Sequence, residues 1–328
     1  MTGFIFALIA LLCWSGSDLF SKLSTAQEDK SSHWRVIFAV GTIMGIHAVI
    51  TLICGTFINP ENTPEFVLTL IYTDFKFMNF IYYLPVAFIY LAAMVIGYMG
   101  LRYIELSVSS PICNSSGSLA ILICAIFGWA VLDGLSIAAV ILITIGIIGL
   151  GVTEYYEDEQ IKMLRQDKSQ FKYTKSLLAI LIPIIYLVMD ALGTVGDQLI
   201  YELELFEMSD YASNTAFEFT SLCFAIFAFL YVKFVKKQNF FRKRGEAPAK
   251  RRALILGGTC ETVGQMFYMA VMFSDFKAGM PMISAYCVVS VLWSRIFLKE
   301  KLSWKHYLAI AITILGIILL AVAEMLAE

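Results

Sequence analysis

Residues 133–153 read DGLSIAAVILITIGIIGLGVT, and no charged side chain follows Asp133 in this stretch. A hydrocarbon core about 30 Å thick needs roughly 20 apolar residues for one helical crossing. The stretch therefore has the length and composition of a transmembrane helix. The whole chain agrees, since 59% of its residues are hydrophobic, 15% are charged and its mean hydropathy is +0.77. This composition excludes an ordinary soluble domain.

Nine further windows of this kind lie along the chain. They fall near residues 2–23, 34–57, 77–101, 107–128, 173–199, 209–232, 253–273, 278–298 and 303–325. Together with residues 133–153 they predict an all-α integral membrane protein of ten transmembrane helices. Residues 60–76 are less apolar and include Pro64, Glu65 and Asp74, so we predict an interfacial loop there.

The lysines and arginines lie almost entirely in alternate loops. Of the 24 in the chain, 22 fall in odd-numbered loops between the predicted helices, and only Lys76 and Lys277 fall elsewhere. Positive charge near helix ends is retained on the cytoplasmic side. We therefore predict that both termini face outside. No organelle signal is visible, which favours the plasma (cell) membrane as the location of this multi-pass protein.

The two halves of the chain are related in sequence. A shift of 170 residues aligns residues 104–154 with residues 274–324 without a gap, with about 12 identities in 51 positions. We predict a first five-helix repeat at 1–155, a cytoplasmic linker at 156–172 and a second five-helix repeat at 173–328. Because five is odd, the two repeats must be inverted in the membrane. Inverted repeats can exchange conformations, which opens a central site to each side in turn.

Three carboxyl groups lie deepest in the predicted helices, namely Asp190, Glu218 and Glu261, while Asp18 lies nearer the cytoplasmic end of the first helix. An ionisable group at mid-membrane costs roughly 2.5–3.5 kcal/mol, so it is expected to face a wet cavity or a partner. No Lys or Arg lies at the same depth. These acids therefore favour a cationic or zwitterionic substrate, proton coupling, or both. Each acid could instead be protonated and hydrogen-bonded to a neighbouring helix.

Two prolines, Pro111 and Pro281, correspond under the shift of 170 residues. Matched helix breaks of this kind point to a transporter's binding site, so we predict hinges there. The serines that follow could also bond back to their own helix. Tyrosines near carboxyls could bind ammonium by cation–π attraction, although such residues more often pack in cores or interface belts. The remaining candidates for substrate binding or proton coupling are Asn214, Gln265, Tyr268, Tyr186, Asn114, Ser115, Ser284, Tyr286, Trp14 and Tyr90.

Several short motifs cluster in the last fifty residues and in the first helix. They are AGMP at 278–281, FLKEKLS at 297–303, Gly316, and Trp14-Ser15-Gly16 followed by Lys22. With these motifs the chain resembles the drug/metabolite transporter superfamily in its ten-helix, EamA-type form. It departs from the pattern at Ala130, which stands where the first half would repeat Glu300.

This resemblance implies a central cavity lined mainly by helices one, three, four, six, eight and nine. It implies that helices five and ten pack at the periphery. Substrates across such families include amino acids, amines, nucleotide sugars and sugar phosphates, so the resemblance does not name the cargo.

We predict a secondary active transporter that moves a small cationic or zwitterionic metabolite, such as an amine or an amino acid, by alternating access. Its partners would be that substrate, the lipid bilayer and protons. Exchange of nucleotide sugars or sugar phosphates is one alternative. A channel, or a receptor or scaffold without active transport, is another. An enzyme is not expected, because the sequence has no H-E-x-x-H, G-x-S-x-G or phosphate-loop motif.

No cofactor, metal or nucleic-acid partner is expected. The seven cysteines and three histidines show no metal-ligand spacing. Gly146, Gly149 and Gly151 can seat a helix of a second copy, which would give a homodimer, or a helix of the same chain.

Overall fold

The computed structural model describes residues 2–25, 29–129, 132–166, 168, 177–202, 206, 208–240, 248–274 and 279–327. Most of these residues are helical, and no strand occurs among them. The helices are α1 (Thr2–Ser24), α2 (Ser32–Gly55), α3 (Glu65–Ile71), α4 (Phe77–Gly100), α5 (Leu106–Cys113), α6 (Ser116–Ile126), α7 (Gly134–Tyr156), α8 (Glu159–Arg165), α9 (Leu177–Glu202), α10 (Asp210–Leu230), α11 (Pro248–Met272), α12 (Gly279–Ser284), α13 (Tyr286–Trp293) and α14 (Trp304–Ala327).

Eight helical segments within the described ranges are long and apolar enough to cross a membrane, which confirms the all-α membrane class. They are α1, α2, α4, the pair α5–α6, α7, α9, α10 with its π-helical end, and α14. The other two predicted spans correspond to α11 and to α12–α13. The basic residues 250–252 lie in the first turn of α11, and its centre carries Glu261, while the apolar part of α12–α13 is short. The count of ten spans therefore stays a prediction.

Two segments differ from their predicted form. Residues 60–76 are not a plain loop, because they contain α3 and a 3-10 turn at Pro60–Asn62. The predicted linker at 156–172 contains α8, whose N-cap Asp158 accepts hydrogen bonds from two backbone N–H groups of its first turn. Capping of this kind is expected of an aspartate that precedes a helix.

The helices run alternately up and down, which gives the bundle two ends. We call the end where α1 finishes and α2 begins the basic end, and the end where α1 begins the terminal end. Arg35 donates to the carbonyl oxygen of Asn239 at the basic end, and Thr73 contacts Tyr211 at the terminal end. Each end therefore gathers loops from both halves of the chain.

Helix packing follows the same scheme in the two halves. The ring of Trp14 in α1 lies against Gly264 of α11, and the ring of Tyr186 in α9 lies against Gly97 of α4. A shift of 172 residues aligns Trp14 with Tyr186 and Asp18 with Asp190 in the first helix of each half. The α1–α11 and α4–α9 pairs therefore correspond. A two-fold relation between the halves requires such a pairing. The boundaries of the two repeats stay a prediction.

Helices α7 and α14 pack on each other in the same reciprocal manner. Gly146 faces Thr313, while Gly316 faces Ile143, and both pairs are related by the shift of 170 residues. Gly149 contacts Ala309 in the same interface. The small residues that could have seated a second copy thus pack against a helix of the same chain.

Helices α2 and α10 approach closely, and Gly41 makes this approach feasible. A Cβ atom at Gly41 would overlap the carbonyl oxygen of Ser221 in α10. We expect Gly41→Ala to lower the free energy of unfolding by about 1–3 kcal/mol, because the helices must move apart. Thermal unfolding of the purified protein measures this. Gly117→Ala is the matched control, since its Cβ would meet nothing within 4 Å. Equal melting temperatures for the two variants would contradict the close approach.

Candidate substrate cavity

A cavity of about 790 Å³ lies in the middle of the bundle. Its wall is formed by α1, α4, α5, α9, α10, α11 and α13. These include the helices that the resemblance implied, while α7 and α14 do not contribute to the wall in the described part of the chain. Helix α10, the seventh predicted span, is an addition. Its side chains reach the cavity because α10 packs on α4 as well as on α2.

Most of the candidate residues meet in this cavity. Those that line it are Trp14, Asp18, Tyr90, Asn114, Tyr186, Asp190, Asn214, Glu261, Gln265, Tyr268 and Tyr286. The charged side chains of the described wall are all acidic. They are Asp18, Asp190, Asp197, Asp210 and Glu261, and no Lys, Arg or His lines this wall. A cavity of this charge favours cations over anions.

The Asp18 carboxylate links three helices at the basic side of the cavity. Its Oδ2 accepts hydrogen bonds from Ser110 Oγ of α5 at 2.6 Å and from Ser290 Oγ of α13 at 2.8 Å. Ser110 lies shortly before the end of α5, and Ser290 lies shortly after the start of α13. Asp18 thus holds the two broken helices against α1.

Asp190 and Asp197 lie on one face of α9. Ser116 Oγ donates to Asp190 Oδ2 at 2.6 Å. Tyr83 and Tyr90 donate to Asp197 at 2.6 and 2.8 Å. Asp197 and Tyr83 were not among the candidates predicted from the sequence. The signal for Asp197 was its seven-residue spacing from Asp190, which places the two acids on one helical stripe.

Aromatic rings stand beside the acids. The ring of Trp14 lies 5.2 Å from that of Tyr268 and 5.8 Å from that of Tyr286, measured between centroids. Tyr90 meets Phe217 edge to face at 6.2 Å. Rings next to carboxylates form the surroundings in which an ammonium group is held by cation–π attraction as well as by charge.

Three candidates do not line the cavity in the described structure. Glu218 is only 1% exposed and faces α2. Ser115 donates to the carbonyl of Pro111 at 2.7 Å, which is the bond back to its own helix that a serine in a membrane helix often makes. The carbonyl oxygen of Ser284 accepts a hydrogen bond from Asn114 Nδ2 at 2.6 Å.

The matched helix breaks are present, but they follow the prolines. Helix α5 contains Pro111 and gives way to α6 at residues 114–115, and α12 gives way to α13 at Ala285. The two breaks correspond under the shift of 170 residues, and the Asn114–Ser284 bond joins them. Pro281 belongs to α12, and its side chain lies outside the described set. The hinge role of the prolines stays a prediction.

Two buried charged side chains, Lys22 and Glu300, lie at the basic end of the bundle. Lys22 Nζ donates to the carbonyl oxygens of Leu101 and Ile104. The Glu300 carboxylate accepts from the backbone N–H groups of Leu106 and Ser107, both at 3.0 Å, and from Ser107 Oγ at 2.7 Å. Glu300 therefore caps the start of α5. The FLKEKLS motif was the sequence signal of this contact, which sequence reasoning did not identify.

A second charged cluster surrounds α8 at the same end. Side-chain atoms of Glu154, Glu157 and His306 come close enough together to suggest a metal site. However, Lys162 pairs with Glu154 and Arg165 pairs with Glu157. The carboxylates are therefore neutralised by the chain's own cations, and we interpret the cluster as an ion-pair network.

Comparison with known proteins agrees with this architecture. Residues 206–322 match the model of the EamA-like transporter family. A solved chain described as "Crystal structure of protein" aligns with 100% of this chain and 99% of its own length, with a TM-score of 0.55 and 13% sequence identity. At that identity the likeness shows the fold alone. No curated protein matches the sequence. The apolar helices and the match over residues 206–322 together support a membrane transporter similar to the EamA-like family, within the drug/metabolite transporter superfamily.

Proposed function

We propose that this chain is a secondary active transporter for a small cationic or zwitterionic metabolite, with an amine or an amino acid as the substrate class. The observation that carries the proposal is the sign of the cavity charge. Asp18, Asp190 and Glu261 retain accessible surface toward the cavity, and the described wall holds no basic side chain to neutralise them. An ammonium group entering the cavity would supply the missing positive charge.

The hydroxyl partners of the acids suit this role. Asp18, Asp190 and Asp197 accept hydrogen bonds from serine and tyrosine hydroxyls, as described above. A hydroxyl can donate to a carboxylate or accept from a carboxylic acid. The same partners therefore hold the acid in place whether or not it carries a proton, which is a requirement for coupling substrate movement to protons.

Alternating access would use the two helix breaks and the asymmetric closure of the cavity. At the basic end, Lys22 and Glu300 bind the backbone around the start of α5, and we propose that these bonds close the cavity there. The position equivalent to Glu300 in the first half is Ala130, which has no carboxylate. We propose that release of the Glu300 cap opens the basic end, and that this end faces the cytoplasm of the plasma membrane with both termini outside.

Asp190→Asn should abolish stabilisation of the protein by ammonium compounds, because it removes the charge at the centre of the cavity. The measurement is the melting temperature of purified protein with methylammonium, tetramethylammonium, lysine, UDP-glucose or glucose 6-phosphate, since a ligand that binds only the folded state raises it. Glu61→Gln, the same change at an exposed acid outside the cavity, should keep the ligand response.

Stabilisation by the sugar compounds alone, unchanged in Asp190→Asn, would refute the proposed substrate class. It would favour exchange of nucleotide sugars or sugar phosphates instead.

A further inference from the structure

Glu218 and His47 form a pair behind the cavity wall. His47 Nδ1 of α2 lies 2.8 Å from both carboxylate oxygens of Glu218 in α10. His47 Nε2 lies 2.9 Å from the carbonyl oxygen of Leu70 at the end of α3. Neither side chain lines the cavity in the described structure. The pair thus connects three helices at the terminal half of the bundle.

The bonding geometry fixes how many protons the pair holds. The Leu70 carbonyl can only accept, so His47 Nε2 must carry a hydrogen. A second proton must then lie between Nδ1 and the carboxyl group, because a bare ring nitrogen and a bare carboxylate would both present lone pairs. The proton is shared, whether it belongs formally to the imidazolium or to the carboxylic acid. Loss of this proton would leave one ring hydrogen for two acceptors, the Glu218 carboxylate and the Leu70 carbonyl.

Two amides connect the pair with the cavity. Asn214 Nδ2 lies 3.4 Å from Glu218 Oε1, and Gln265 Nε2 donates to Asn214 Oδ1 at 3.0 Å. Asn214 and Gln265 both line the cavity. A ligand that competes for the amide hydrogens of Gln265 would therefore change the hydrogen bonds that reach Glu218.

The surroundings leave few other groups that could titrate with the pair. Among the described residues, the hydrogen-bond partners of the two side chains are Leu70, Asn214 and each other. From α3 the facing group is a carbonyl oxygen, and from α11 it is the neutral amide of Gln265, reached through Asn214. The acids Glu261 of α11 and Asp210 of α10 line the cavity instead.

We infer that His47 and Glu218 form a proton-binding site separate from the substrate cavity and linked to it through Asn214 and Gln265. Release of the shared proton leaves one ring hydrogen for two acceptors, so either the bond to Glu218 of α10 or the bond to Leu70 at the end of α3 is lost. The site therefore ties helix packing to proton occupancy. Its use in coupling rests on the proposed transport function, whereas its existence as a proton site does not.

The test is 15N NMR of the full-length protein in detergent, labelled at its three histidines, His33, His47 and His306. His47→Gln assigns the His47 resonances. We expect the His47 ring to show a transition between about pH 4 and pH 10, the range that covers carboxyl and imidazole titration. The transition should be lost in Glu218→Gln, retained in Glu61→Gln and displaced in Gln265→Leu, which breaks the amide link.

A His47 ring that does not respond to pH, or responds identically in wild type and Glu218→Gln, would overturn the proton site. An identical response in wild type and Gln265→Leu would overturn the link to the cavity. If Glu218→Gln does not fold, Glu218→Asp serves instead, because it keeps the acid but withdraws it from the ring. The experiment needs no ligand, so it can fail while ammonium binding succeeds, or the reverse.

Discussion

Glu300→Gln should destabilise the protein by roughly 3 kcal/mol and open the cavity at its basic end. Glu300 is 2% exposed, and its carboxylate receives two backbone N–H groups of α5 together with the Ser107 hydroxyl. A hydrogen bond to a charged group contributes about 1.5–3 kcal/mol, and a buried donor left without a partner costs a similar amount. Glutamine keeps the size of the side chain but replaces one acceptor by a donor, so one N–H of the α5 start loses its partner.

The effect should extend to the neighbouring lysine. Lys22 is fully buried and donates to the carbonyls of Leu101 and Ile104, immediately before α5. Without the charge of Glu300, the buried ammonium group of Lys22 loses a nearby negative charge. An unpaired charge in the protein interior is unfavourable. Both losses weaken the same closure, between α1, the turn after α4, and the start of α5.

Two measurements check this prediction. Thermal unfolding reports the loss of stability. Labelling of Cys113, which lines the cavity, by an impermeant thiol reagent reports opening when the reagent is added from each side of the membrane in turn. Glu61→Gln is the control for a change of acid to amide. An unchanged melting temperature together with unchanged Cys113 labelling would show that Glu300 does not hold the basic end closed.

The membrane class and the helix positions could be predicted from sequence because they depend on local composition. A helix that crosses a bilayer must be apolar along its length. The composition of residues 133–153 therefore predicts a transmembrane helix without any information on its neighbours. The breaks near Pro111 and Ala285 were likewise predictable, within about four residues, from a proline that removes a backbone donor.

The site was predicted in part, and Glu218 shows the reason. Helical periodicity places Asn214 and Glu218 on one stripe of α10, but it does not say which neighbour that stripe meets. Asn214 reaches the cavity, while one turn later Glu218 meets His47 of α2. A contact between residues 171 positions apart depends on the tertiary packing of α2 and α10.

Glu300 shows a related limit. The FLKEKLS motif could be recognised, but its partner is the start of α5, which lies 193 and 194 positions away in the chain. The preceding residue, Lys299, adopts a left-handed backbone conformation with φ of 57°, which ends the helix and turns the chain toward α5. Only the folded arrangement reveals that the motif joins two helices.

Lys162→Met should destabilise the protein by about 3–5 kcal/mol, the typical cost of removing one partner from a buried ion pair. Lys162 lies in α8 and is 4% exposed. Its Nζ pairs with Glu154 and lies 3.5 Å from Glu105 Oε2, so one cation serves two buried carboxylates. Methionine fills similar space without charge. The two carboxylates would then repel each other in the protein interior.

The stabilisation by Lys162 in the wild type depends on pH in a defined direction. Burial by itself lowers the pKa of Lys162, but the Glu105 and Glu154 carboxylates outweigh it, so the pKa lies above the usual value. A lysine whose pKa is raised by folding stabilises the protein fully below its unfolded pKa, and this contribution is lost only as the pH rises through the raised value. The ion pair therefore persists throughout the neutral range.

In Lys162→Met the remaining acids move the loss of stability to lower pH, with the same sign. Burial already raises the pKa of Glu105, and removal of the lysine withdraws the charge that opposes the shift. A carboxyl whose pKa is raised by folding favours the folded state at low pH and loses that contribution as the pH rises through its folded pKa. The destabilisation should thus be smaller near about pH 5 than near about pH 8, where free carboxyl groups are ionised.

Thermal unfolding of wild type, Lys162→Met and Lys168→Met near about pH 5 and about pH 8 tests both the loss of stability and its pH dependence. Lys168 is an exposed lysine beyond the end of α8, so its replacement should change the melting temperature little at either pH. Lys162→Arg should retain much of the stability, because the guanidinium still supplies a positive charge to both acids. Equal effects of Lys162→Met and Lys168→Met would mean that the predicted linker is not held to α5 and α7 by this ion pair. A pH-independent effect of Lys162→Met would mean that the stability comes from packing of the lysine stem rather than from its charge.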